Sequence, residues 1–257
     1  MKKPILFFLL ILLFPWIGKA QSVNQEFDSV LFNKQLDIAN KLIECELLTQ
    51  LVIDNFSKLE DVSGIDWFSY NENKTWHTIG GITDGNSFRI TKHVIFDSIN
   101  SISDFTGISD TLTLNASGSA LAKANIQFQI IRDTCNLYFN SFVVWNPDQT
   151  MSIWFLPALQ PSGQAIYGCE WEYIFDKTGK NLLRQNSFTS KITGVWIGQP
   201  RELWLNYRNT DKPTIGSVFF ALSFRDYFTR IRIDTRISTS TTTKDSKGNY
   251  SWTHKMK

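Results

Sequence analysis

Two hydrophobic periods run through this chain, and the change from one to the other marks its elements. Residues 26–59 place apolar side chains at Leu31, Ile38, Leu42, Cys45, Val52 and Phe56, three, four or seven apart. Leu36, Ile43, Leu47 and Leu51 widen the stripe, while Asn33, Asp37, Asn40, Lys41 and Glu44 cluster opposite in its first half. No proline intervenes, so the spacing predicts one long helix whose broad apolar face lies across a sheet. Ala120, Leu121, Ala124, Phe128 and Ile131 repeat the helical period and predict a second helix over 119–131, capped by Asn115 or Ser117.

Elsewhere the period is two. Residues 66–70 and 75–79 read as a hairpin, with Trp76, Thr78 and Gly80 on one face and His77, Ile79 and Gly81 on the other. Gly80-Gly81 marks a bulge or a close backbone approach. Residues 88–96 form another strand, and 97–114 read as a long loop or an internal boundary. Runs at 142–145 and 151–156 flank the turn Asn146-Pro147-Asp148-Gln149-Thr150. Residues 170–175 precede Asp176-Lys177-Thr178-Gly179, with Leu182, Leu183 and Phe188 on the return. Trp171, Tyr173 and Phe175 share one face there, and Glu170, Glu172 and Asp176 share the other, which predicts one dry and one wet side.

Short strands follow at 194–198 and 203–207, and the apolar run 214–224 fits either a strand or a helix. Residues 227–237 alternate cleanly, Ile231 and Ile233 opposing Arg230, Arg232, Asp234 and Arg236. The last twenty residues are a polar strand pair around Asp245-Ser246-Lys247-Gly248, or a loose tail. The fold class expected is α+β: mainly antiparallel sheet packed by a long N-terminal helix and one or two shorter helices.

Residues 1–20 change the picture of where the protein acts. Lys2 and Lys3 precede the apolar run from Ile5 to Ile17, and Gly18-Lys19-Ala20 offers a small-residue cleavage site. This is the layout of a secretory signal peptide, and the run is shorter than the roughly 20 residues a membrane span needs. Residues 21–257 then form one exported domain, periplasmic or secreted, with no transmembrane span. Loss of Lys2, Lys3 and Lys19 from 26 basic residues leaves 23 against 24 acids, a net charge of −1. Near-neutrality argues against nucleic acid as a partner, because binding its backbone requires concentrated positive charge. Aromatic residues make up 14% of the chain, which favours pleated surfaces.

Candidate chemistry is sparse. The chain has no G-x-S-x-G, H-E-x-x-H, GxxxxGK[ST] or C-x-x-C, and its three histidines are dispersed, so no metal or cofactor is expected. In an oxidising compartment three cysteines allow one bridge, assigned here to Cys135 and Cys169. A catalytic reading would use Cys169 or Glu170 with His77; a lone histidine beside an isoleucine is more often structural. Arg230, Arg232 and Arg236 on one pleated face could grip an anion, or simply be solvated edge charges. Trp145, Trp154 and Trp171 are candidates for a ligand-binding face. The expectation is a non-enzymatic binding or structural module of the bacterial cell envelope, with an unidentified ligand or envelope protein as partner. The alternative is a secreted or periplasmic hydrolase with an unfamiliar site.

Overall fold

The computed structural model describes residues 26–57, 63–72, 75–84, 87–98, 101–103, 112–188, 191–198 and 201–257. The expected leader lies outside them, as does much of the stretch read as a loop or boundary. Within that stretch the described residues are strand up to Ser98, strand at Ser101–Ser103, and helix from Leu112.

Three helices are present among the described residues: α1 (Ser29–Phe56), α2 (Leu112–Cys135) and α3 (Ile215–Phe224). The first strands are β1 (Asp66–Glu72), β2 (Thr75–Asp84), β3 (Ser87–Ser98) and β4 (Ser101–Ser103), which pair in that order as sheet A. Then come β5 (Phe139–Trp145), β6 (Met151–Pro157), β7 (Gln164–Tyr167), β8 (Trp171–Phe175), β9 (Leu182–Ser187) and β10 (Thr193–Trp196). Sheet B has the order β5-β6-β8-β9, and β10 pairs with β7 in a two-stranded ribbon, sheet C. Sheet D comprises β11 (Glu202–Tyr207), β12 (Arg230–Thr235), β13 (Ser238–Lys244) and β14 (Tyr250–Met256), in sequence order. Among the described residues every pairing is antiparallel except β11 with β12, which run parallel because α3 carries the chain back between them. The α+β expectation is met.

Sheet B separates the two larger cores. Phe142, Trp154 and Leu156 point into one, with Leu205, Tyr207, Ile231, Ile233 and the phenylalanines of α3. Val143, Ile153, Phe155, Tyr173 and Phe175 point into the other, against Leu121, Ala124 and Phe128 of α2 and Phe68 and Ile79 of sheet A. All of β6 is therefore buried, on both of its faces. A continuous apolar strand is what a two-sided covering requires.

Helix α1 joins the cores. Phe32, Ala39, Leu42 and Cys45 pack beside α3, and Leu48, Val52 and Phe56 pack on Trp67, Val94 and Phe96 of sheet A. The buried seam is thus shifted from the expected one: Leu31 and Ile38 are only half-buried, and Leu47 and Leu51 face solvent. At the helix start Asp28 Oδ1 accepts the Leu31 N–H at 2.9 Å, and Phe27 stacks on His254 of β14 with ring centroids 3.8 Å apart.

Helix α2 begins earlier than its period suggested. Asn115 and Ser117, the expected caps, lie inside it, and the Ser117 hydroxyl donates to the Thr113 carbonyl at 2.8 Å. Buried Leu114 and Ala116 pull the extra turn into the core. The ambiguous run 214–224 is a helix because Thr214 and Ser217 form a reciprocal cap ahead of it. The expected strand over 227–237 shortens to β12, since residues Arg225–Tyr227 make a 3₁₀ turn.

The strand register of β2 on β3 shifts between Gly80 and Gly81, and a Cβ at Gly80 would lie 2.7 Å from the Trp67 ring. Gly80→Ala should lose about 1–3 kcal/mol through overpacking, outweighing the gain of about 0.5–1 kcal/mol from removing a strand glycine. Urea denaturation decides the sign; a stabilised variant would mean that Trp67 gives way.

Candidate functional site

A cleft of about 420 Å³ opens where α1, the β1–β2 hairpin and the end of β5 meet. Each wall has a local cause. Lys41 and Glu44 stand one turn apart on the wetter side of α1, with Cys45 below them. Tyr70 and Asn71 end β1, and Trp76 opposes Asn71 across the hairpin. Val143, Val144 and Trp145 come from β5. The Trp145 Nε1–H donates to Ser117 Oγ at 3.1 Å, fixing the indole against α2. Three half-buried or buried rings therefore wall the cleft, and one cation, one anion and one amide lie at its mouth.

Behind this wall sits a histidine pair. His77 stacks on Tyr70 at 4.9 Å, and its Nδ1 lies 3.0 Å from Nε2 of His93. Antiparallel pairing of β2 with β3 makes them near neighbours on one face, Ile79 lying opposite His93. His93 is buried, its Nδ1 has no hydrogen-bond partner, and burial followed by His77 holds its pKa below the ordinary value. An orphaned buried N–H costs more than a bare lone pair, so the shared proton belongs on His93 Nε2. On the other face of sheet A, Ser69 Oγ lies 2.7 Å from both Thr49 Oγ1 and Thr78 Oγ1, while Cys45 Sγ donates to the Ser69 carbonyl.

Glu170 is at a different place and was misplaced by strand alternation. Expected on a wet face, it is 1% exposed, just ahead of β8. Tyr207 donates to its Oε1 at 2.5 Å and Thr214 at 3.0 Å, and the carboxyl rests on the first turn of α3. A Cβ at Gly216 would lie 2.6 Å from Oε2, so only glycine leaves room there. Oε2 itself has no partner. Burial raises the acid to a pKa of about 7, against the lowering by its two hydroxyl donors. The adjoining cavity is about 10 Å³, room for one water and no substrate.

The remaining candidates divide as follows. Trp145 lines the cleft; Trp154 is a core residue stacked on Phe188, and Trp171 is half-buried against Phe128. Arg230 and Arg232 share Glu202 at 2.9 and 3.4 Å, whereas Arg236 forks onto Asp211 at 2.5 and 2.7 Å. The three arginines thus form no single anion grip. Glu172 is tied to Ser152 and Asn186. Cys135 and Cys169 are free thiols here, so the expected bridge is not formed. Burial and then the neighbouring Cys135 push the Cys169 thiol up to about 12, the wrong direction for a nucleophile. Among the described residues no group of three or more His, Cys, Asp and Glu could hold a metal, and no helix is long and apolar enough to cross a membrane. Comparison with protein-family models, curated proteins and solved structures finds no match.

Sequence reasoning missed Tyr70, Trp76, Lys41 and Glu44 as cleft residues, although the hairpin reading already set Tyr70 and Trp76 at one end of one turn. Tyr207 and Thr214 left no signal: they lie 37 and 44 residues from Glu170.

Two outcomes are expected. A group whose pKa rises from 4.5 to about 7 on folding binds its proton more tightly in the native state, so its stabilisation is complete below pH 4.5 and lost as pH climbs through 7. Relative to Glu170→Gln, the wild type should lose on the order of 2–3 kcal/mol between pH 5 and 8. His93 acts oppositely, losing stability as pH falls below 6.5, and is common to both proteins, so their difference isolates Glu170. A pH-independent difference in urea midpoints would remove Glu170 from this role. Second, air oxidation should reduce the three titratable thiols to one by joining Cys135 and Cys169, leaving Cys45 free. Peptide mapping that finds Cys45 in the bridge would contradict this.

Proposed function

We propose that the protein is a non-enzymatic binding module exported to the bacterial envelope, and that the ring-walled cleft is its ligand site. The cleft carries the reading: about 420 Å³ falls in the range of small-molecule sites, and its walls are apolar with a few polar groups at the mouth. Tyr70, Trp76 and Trp145 suit a compact, ring-bearing ligand, and Lys41 with Glu44 suits one that carries charges of both signs. Rings fixed by hydrogen bonds and stacking bind with little loss of side-chain freedom. Export is supported by the N-terminal layout of Lys2, Lys3 and the apolar run that follows.

The hydrolase reading has less behind it. Cys169 is buried with a raised pKa, and Glu170 faces a space that admits no substrate. The groups proposed to cooperate are held by different neighbours, His77 by Tyr70 and His93, Glu170 by Tyr207 and Thr214.

Anilinonaphthalene sulfonate should bind the purified protein saturably, with Trp145→Ala and Trp76→Ala each weakening it by roughly tenfold at a temperature where melting curves show both variants folded. In cells, either substitution should reproduce the loss of the gene, whereas Cys169→Ala should not. Loss of the phenotype in a folded Cys169→Ala protein, with the Trp variants unaffected, would reverse the assignment.

A further inference from the structure

Sheet D has one face on the core and one open to solvent. Ile231, Ile233, Leu203 and Leu205 point inward, so the alternate positions of its strands point outward. In register across four strands the outer face carries Trp204, Arg232, Thr241 and Thr253. This row spans three strand spacings, about 14 Å. Arg230 flanks it on one side and Lys255 on the other, and together these residues line a shallow concavity of about 690 Å³.

We propose that this face is a second binding site, distinct from the ring-walled cleft, and that its ligand is an acidic glycan. Three features single out that class. Trp204 is 50% exposed, and the Arg232 guanidinium lies 4.6 Å over its ring, which holds an indole ready to stack on the apolar face of a sugar. The threonine hydroxyls of β13 and β14 both donate and accept, as sugar hydroxyls do. Charge selects the acidic member of the class. Arg230, Arg232, Lys255 and Lys257 line the concavity, and the acids paired with them are Glu202 and Asp234. Four cations against two acids leave two positive charges, and Lys255 is hydrogen-bonded to no side chain among the described residues.

Glu202 is the internal stand-in for the ligand's oxyanion. It accepts from Arg230 and approaches Arg232, with all three side chains at least a quarter exposed. Exposed ion pairs contribute little to stability, so an arriving carboxylate, phosphate or sulfate displaces Glu202 readily and meets two guanidinium groups preset for it. Nucleic acid fits less well: a single exposed ring supplies no stacking series, and the charge is too local to track a backbone.

Affinity electrophoresis of the purified protein separates the possibilities, with gels containing polygalacturonate, dextran sulfate, neutral dextran, polyglutamate or single-stranded DNA. Retardation by polygalacturonate or dextran sulfate and not by neutral dextran is expected, and the stronger of the two names the anion. Arg232→Ala and Trp204→Ala should each weaken it by roughly tenfold. Glu202→Gln should strengthen it, a gain that a merely structural salt bridge would not produce, and Trp145→Ala should leave it unchanged. If Trp204→Ala alters the melting curve, Lys255→Glu takes its place, with the same weakening expected. No retardation by either acidic glycan, equal retardation by polyglutamate or DNA, or indifference to Arg232→Ala and Glu202→Gln would each overturn the proposal.

Discussion

Burial of β6 on both faces is the constraint from which the rest of the fold follows. A strand with no wet side must be covered twice, and each covering layer needs its own support. On one side α3 and sheet D supply it, and on the other α2 and sheet A do. Trp154 and Leu156 anchor the first layer, and Ile153 and Phe155 anchor the second. Helix α1 then closes the gap at one end, half of it serving each neighbourhood. The cleft lies where this closure is incomplete, between α1, the first hairpin and the outer strand β5.

Polar groups inside this body are held to a few arrangements. The Thr49–Ser69–Thr78 hydroxyls satisfy one another between α1 and sheet A. The histidine pair shares a proton, and a second one would have to be carried in a buried place. Glu170 is the most exacting of them, since two hydroxyls support one oxygen while the other has no hydrogen-bond partner and the adjoining space holds a single water. Such placements fix the packing of α3 against sheet B more sharply than apolar surface alone does.

Much of the architecture was legible in the chain because it is written locally. The long period of α1, the turns at 146–150 and 245–248, and the alternation of β12 all concern residues a few positions apart. What escaped depended on distant partners. The run Met151–Pro157 looks like any strand until layers are known to cover both of its faces. Alternation put Glu170 in water because nothing local shows that α3 covers the face it shares with Glu172. Thr214 to Phe224 has strand-like content, and only the cap formed by Thr214 and Ser217 tips it to helix. The site was less legible still. Trp145, Trp154 and Trp171 are equivalent as letters, and their fates were decided by which layer each one met.

The stacking of Phe27 on His254 brings residues from the beginning and the end of the described chain face to face. Phe32 also meets Trp252 and His254 edge-on, so the first turn of α1 finds its partners on the last strand. A polypeptide emerging from the ribosome presents its start long before that strand exists. The opening turn of its first helix must therefore wait, with an apolar flank unclaimed, until synthesis is nearly over.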